Sequence, residues 1–405
     1  VAATGVGAGD LATAAFTASR LGVAVLWAVV VGAFLKLVVN EGLARWQLAT
    51  DETLLEGALR RLGRPGVIVF GLYFFLWSFF VSSALMSACG VAIHAIVPVF
   101  ADPATGKLVF GIASSLVGVA LVLAGGFPLF EKVMGLCIGV MFVTVLVTAV
   151  LLCEDWGAVV RGLAIPRIPD ADGEGLGWTV ALMGGVGGTV TMLCYGYWIR
   201  EKGRAGAGEL TRCRVDLATA YAMTALFGLA MVVIGSTIEV EGRGAGLVVR
   251  LAEALDAPLG SAGRWAFLIG ALGAFFSSLL GVWQAVPYIF ADYWRFVRRD
   301  PAGLDQTPLP GVDTSGRPYR VYLWILAVVP MLGLLFSFRE VQRAYAVFGA
   351  LFMPLLALVL LFLNGRREWV GDRLRNGPLA TTLLVATVVL FLLFGALQVR
   401  AQLGP

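Results

Sequence analysis

Met183-Gly184-Gly185-Val186-Gly187-Gly188-Thr189 interrupts an apolar run over 177–199, and Thr4-Gly5-Val6-Gly7-Ala8-Gly9-Asp10 interrupts another at the start of the chain. The core Gly-Val-Gly recurs at 5–7 and 185–187, 180 residues apart. Glycine costs about 1 kcal/mol relative to alanine in a helix interior, so clusters of it let the backbone leave helical geometry. Where such a cluster lies at membrane depth, the freed amides and carbonyls must line a buried or aqueous cavity. A pair of broken spans in corresponding positions of two halves points to a transporter site between inverted repeats. One glycine cluster alone reads more simply as close helix packing through small residues. The matched spacing of two favours the site.

The composition supports a membrane setting. The chain has 405 residues, 59% of them apolar and only 14% charged, against roughly 45–50% and about 25% in soluble domains. A mean hydropathy of +0.88 leaves too little polar surface for a water-soluble particle. The net charge of +4 is too small to suggest a nucleic-acid partner. Cys89, Cys137, Cys153, Cys194 and Cys213 are odd in number and contain no CxxC pair, so they read as buried thiols without disulfides or a zinc site. The chain opens without a basic stretch and cleavage site, hence with no recognisable signal peptide.

A membrane helix needs about 20 mainly apolar residues. Such stretches lie near 21–40, 67–98, 107–126, 131–153, 177–199, 215–238, 264–294, 319–338, 341–364 and 378–399, after a shorter piece at 1–19. The fold class expected is therefore an all-α integral membrane protein of about eleven spans, the first and sixth broken. The division expected is a first repeat of five spans over 1–153, a second over 154–364 and an additional C-terminal span over 365–405. With the N-terminus in the cytoplasm, the inner loops hold 19 Lys and Arg and the outer side 10. That bias places the N-terminus inside and the C-terminus outside the plasma (inner) membrane. The charged segment 41–64 reads as a solvated cytoplasmic connector.

A charge at mid-membrane is costly and usually functional. Glu131, Glu201, Asp216 and Asp292 fall near span ends, whereas Asp10 follows the first glycine break directly. A carboxylate beside unwound carbonyls can replace the hydration shell of a cation. Lys36 reads as a side chain that snorkels to the inner interface, His94 as an interfacial residue, and Tyr195, Tyr197 and Trp198 as an aromatic belt.

At these residues the chain resembles the NRAMP (natural resistance-associated macrophage protein) family of divalent-metal transporters, which share the LeuT-type fold. The family's first-span DPGNFAT corresponds to Gly7-Ala8-Gly9-Asp10-Leu11-Ala12-Thr13. Its QSLAARLG pattern is similar to Leu26-Trp27 through Asn40-Glu41-Gly42-Leu43-Ala44, and its GATVMPH to Gly187-Gly188-Thr189-Val190-Thr191-Met192-Leu193. Ser277-Ser278 with Gly281 resembles its QSSxxxG. The resemblance implies a LeuT-type inverted repeat of five plus five spans. The departures are chemical. Gly7 replaces the motif aspartate, Asp10 its asparagine, Thr191 the methionine, with Met192 one place later, and Leu193 the histidine. The stretch 67–98 carries no Asp or Glu, although the family places proton-moving acids in its third span, and the position of the tenth-span glutamine is apolar near Phe352.

Oxygen donors suit magnesium, calcium and manganese, whereas thioethers favour softer transition metals. The expected function is therefore transport of a hard divalent cation, such as Mg²⁺ or Mn²⁺, by alternating access. The cation is the transported substrate, and no cofactor is called for. The site residues expected are Asp10, Thr191, Met192 and the carbonyls of Gly7 and Gly188. The alternatives are a transporter of an organic cation or amino acid, whose amine pairs with Asp10, and a non-transporting receptor or scaffold. Neither a metalloprotease helix, a nucleophile elbow nor a phosphate loop is present, so no enzyme is expected. The partners expected are the lipid bilayer and a small cation.

Overall fold

The computed structural model describes residues 9–124, 127–171, 173–185, 187–239, 244, 246–298 and 316–403. Fourteen α-helices are described in chain order. They are α1 (Ala14–Leu21), α2 (Leu26–Thr50), α3 (Leu54–Ile96), α4 (Pro103–Ala124), α5 (Phe127–Leu152), α6 (Trp156–Ala164) and α7 (Gly175–Gly185). Then follow α8 (Cys194–Glu201), α9 (Leu210–Gly235), α10 (Leu247–Arg298), α11 (Arg317–Val328), α12 (Phe338–Asn364), α13 (Arg367–Leu374) and α14 (Pro378–Leu403). Among the described residues no strand is present.

Among the described residues, nine stretches are long and apolar enough to cross a membrane, or ten if α5 and α6, bent by 112°, form one span. One of the nine, Asp10–Thr50, is divided. Gly22 adopts φ 63° and ends α1, and a 3-10 turn at Gly22–Val25 leads into α2. The expected second span and the later part of the expected first lie within this run. The expected first break falls partly on residues 1–8, outside the described residues, so only its second half is seen, as a wide π-type turn over Gly9–Thr13.

The segment 41–64 departs from the expected solvated connector. Helix α2 continues to Thr50, and α3 begins at Leu54 under a capping box. The Thr53 hydroxyl accepts the Glu56 amide, and the Glu56 carboxylate accepts the Thr53 amide. Arg45, Glu52 and Glu56 are buried. Each charge has a partner: Arg45 pairs with Glu41, and Glu52 with Arg60 and Arg61. Burial is tolerated because the charges are paired and hydrogen-bonded.

Two packing relationships place the site. Helix α2 packs on α7 and α9, and α12 packs on α7. A Cβ on Gly32 would lie 2.9 Å from the Met183 carbonyl oxygen, so α2 approaches the broken span closely only because Gly32 has no side chain. On the far side, a Cβ on Gly184 would lie 2.5 Å from the Ala346 carbonyl of α12. The sixth span is thus clamped between two helices at its break. His94 is buried and faces α4 across Gly106. Cys89, Cys194 and Cys213 are buried and free, and Cys153 is free and half-buried; the side chain of Cys137 lies outside the described residues.

Candidate functional site

Helix α7 ends at Gly185, and regular structure resumes at Val190 with a 3-10 turn before α8. Gly187 and Gly188 between them adopt φ of 80° and 79°. Those left-handed values are where glycine is free and other residues are strained, so the sequence dictates this break locally. The turn leaves amides and carbonyls without helical partners, and tertiary contacts satisfy them.

Asp10 meets the break from the other half of the molecule. Its carboxylate is 2% exposed, and Oδ1 accepts the Gly187 amide at 3.0 Å. A carboxylate from the N-terminal part of the chain thus meets the glycine break of the sixth span. The Thr191 hydroxyl lies against Gly188, 3.3 Å from where a Cβ would stand. Met192 is buried in the apolar core, and its amide donates to the Thr189 carbonyl. Gly7 lies outside the described residues.

Sequence reasoning misplaced Lys36. Lys36 does not snorkel to an interface. It is fully buried on α2, and its Nζ donates to the carbonyls of Gly184 at 2.8 Å and Gly188 at 2.6 Å. The physical reason is the hydrogen-bonding demand of the break: two bare carbonyls at membrane depth need donors, and an ammonium supplies three. A signal was present. Gly32, Lys36 and Asn40 are spaced at i, i+4 and i+8 on one helix face, and that face runs along the broken span. The Asn40 amide donates to the Tyr221 hydroxyl of α9 at 2.9 Å. Trp77 of α3 donates its indole N–H to the Thr189 hydroxyl at 2.8 Å.

The expected aromatic belt also dissolves. Tyr195 and Tyr197 are buried, and Tyr197 donates its hydroxyl to Asp292 Oδ2 at 2.7 Å. Asp292 is fully buried and also pairs with Arg295. Arg200 pairs with Glu56 at 2.8 Å beside it. At the opposite end of the sixth span, Glu174 binds Arg20 and Arg343, the latter at 2.6 Å. Both guanidiniums lie over the Trp178 ring, at 5.8 and 5.3 Å. Among the described residues, no three His, Cys, Asp or Glu side chains come together as a metal-binding group. A cation at the break would thus rest on one carboxylate and neutral oxygens.

The family model for "Natural resistance-associated macrophage protein-like" (Nramp) proteins matches residues 1–400. The chain belongs to the Nramp family. Nramp proteins are membrane transporters and not enzymes. A comparison with curated proteins finds no match. Crystal structures of the manganese transporter of Eremococcus coleocola share its fold. One superposes with a TM-score of 0.68 at 15% identity, over 97% of this chain and 83% of that one. Another, in complex with an aromatic bis-isothiourea compound, gives 0.65 at 16% identity over the same shares. A nucleobase-cation-symport-1 family transporter, closed around bromovinylhydantoin, gives 0.55 at 14% identity over 98% of this chain and 90% of that one. The expected all-helical, LeuT-type architecture holds, and the chain is a multi-pass membrane protein.

Proposed function

We propose that this Nramp protein carries a divalent metal cation across the membrane by alternating access, with Asp10 as the charged ligand. One observation supports this most: the buried Asp10 carboxylate is held at the glycine break of the sixth span by the Gly187 amide. A carboxylate next to backbone oxygens freed from helical bonding is the donor set of a hard ion. The Gly188 carbonyl, the Thr191 hydroxyl and the Gly7 carbonyl complete the proposed set. Met192 packs in the core, which leaves the set to oxygen. The related fold in Eremococcus coleocola belongs to a manganese transporter, so Mn²⁺ and Mg²⁺ are the ions to try first.

The repeats proposed are 1–153 and 154–364, with 365–405 as an added span. The bias of Lys and Arg places the N-terminus in the cytoplasm and the C-terminus outside the plasma membrane.

The test is uptake of Mn²⁺ and Mg²⁺ by the full chain in proteoliposomes, beside Asp10→Ala and Asp10→Asn. Both variants are expected to fold and to lose uptake, because each removes the carboxylate charge. Normal Mn²⁺ uptake in Asp10→Ala would remove the site. Uptake of an amino acid that Asp10→Asn retains would replace the metal by an organic substrate.

A further inference from the structure

The carbonyls of Gly184 and Gly188 already have an occupant, and it belongs to the protein. The Lys36 Nζ stands 2.8 and 2.6 Å from these two oxygens. Those are the separations of a charge-assisted hydrogen bond. The Lys36 side chain is fully buried.

We infer that Lys36 is a tethered cation that occupies the carbonyl oxygens of the break, so that a transported cation gains those oxygens only by displacing the Lys36 ammonium. The inference rests on the metal-transport reading and adds a specificity-determining residue to it. Three features lead to it. A divalent ion and an ammonium sharing the Gly188 oxygen would sit within a few ångströms of each other, where like charges repel strongly at low dielectric. The ammonium satisfies carbonyls that would otherwise be orphaned in this arrangement, so it stabilises the site when no cargo is present. The stem of Lys36 is flexible, and its helix is held close to the break by Gly32. The ammonium can therefore withdraw while its helix stays in place. An ion that fails to outcompete it, by charge or by fit to oxygen, is excluded.

The test is Mn²⁺ binding to the purified full chain by calorimetry, with melting temperature measured on the same samples, for wild type, Lys36→Met and Lys36→Gln. Lys36→Met keeps the length and removes the charge; Lys36→Gln retains an N–H donor and serves if the methionine variant fails to fold. Without metal, each variant is expected to melt below wild type, because the two carbonyls lose their ammonium. With Mn²⁺, each is expected to bind at least tenfold more tightly than wild type and to show the larger rise in melting temperature. Equal Mn²⁺ affinity in wild type and variants would overturn the inference and leave the metal reading standing. A variant that is destabilised but not rescued by Mn²⁺, while wild type binds it, would make Lys36 purely structural. If none of the three proteins binds Mn²⁺ or Mg²⁺, the metal reading itself fails and this inference with it.

Discussion

The two ends of the broken sixth span are held by opposite kinds of electrostatics. At the α7 end, Glu174 bridges Arg20 and Arg343, with side chains 49%, 40% and 29% exposed. At the α8 end, Arg200 binds Glu56 and Tyr197 binds Asp292, with Glu56 and Asp292 almost completely buried. Exposed pairs contribute little and are screened by salt. Buried charges cost far more to strip of a partner. The α8 end is therefore the anchored one, and the α7 end is the one that can separate at small cost. Under the alternating-access proposal, this asymmetry makes the α7 end the easier one to open.

The sharpest way to break the comparison is Asp292→Ala. It removes a partner of the Tyr197 hydroxyl and of the Arg295 guanidinium inside the bundle, the latter also lying 4.0 Å from Glu56. A loss of about 3–5 kcal/mol is expected in denaturant unfolding of the detergent-solubilised protein. A loss below about 1 kcal/mol would make the two ends alike.

Glu56→Gln separates charge from capping. Glutamine at the same position of α3 can still close the capping box with Thr53, but it weakens the pair with Arg200. About 1–2 kcal/mol should be lost in the same assay, as for a hydrogen bond to a charged group. A loss as large as that of Asp292→Ala would mean that the ion pair matters as much as the buried Asp292, and no loss at all would mean that the cap, not the ion pair, is what fixes this end.

Glu174→Gln should cost less than about 1 kcal/mol. Raising the salt concentration should erase the difference from wild type, which melting curves at low and high ionic strength would show. A salt-insensitive loss would mean that the α7 end is sealed as firmly as the other.

The smallest effect belongs to Asp102, in the exposed turn before α4. Its carboxylate accepts the amides of Ala104 and Thr105 at 3.0 and 3.1 Å. The Ala104 amide first, then the Thr105 hydroxyl, hold its pKa below the ordinary carboxylate value. Its contribution is complete above the ordinary carboxylate range and disappears as pH falls through the lowered value. Hydrogen exchange at Thr105 should accelerate in Asp102→Ala at neutral pH, relative to wild type, with transport unchanged. Unaltered exchange would show that the cap contributes nothing even locally.

Much of the architecture was legible along the chain, because its signals are local. Apolar runs of span length, glycine clusters 180 residues apart and a carboxylate directly after the first cluster led to the span order, the sixth-span break and Asp10 as the acid that meets it. Burial of Arg45 and Glu56 was not legible, since a charged segment reads as solvated until its partners are known. Tyr197 looked like a belt residue for the same reason: an aromatic at a span end has the same local pattern whether it faces lipid or Asp292.

The residues therefore determined by themselves where the backbone breaks and which acid lies beside a break. They did so because glycine's conformational freedom and the cost of a charge in hydrocarbon belong to single positions. Only the tertiary structure decided what fills the sixth-span break. The groups that recruit Lys36 are the carbonyls of Gly184 and Gly188, and a carbonyl is the same at every residue. No pattern in the sequence can name which carbonyl a lysine 148 or 152 positions away will meet. That depends on Gly32 bringing α2 against α7, a contact made by packing two distant segments.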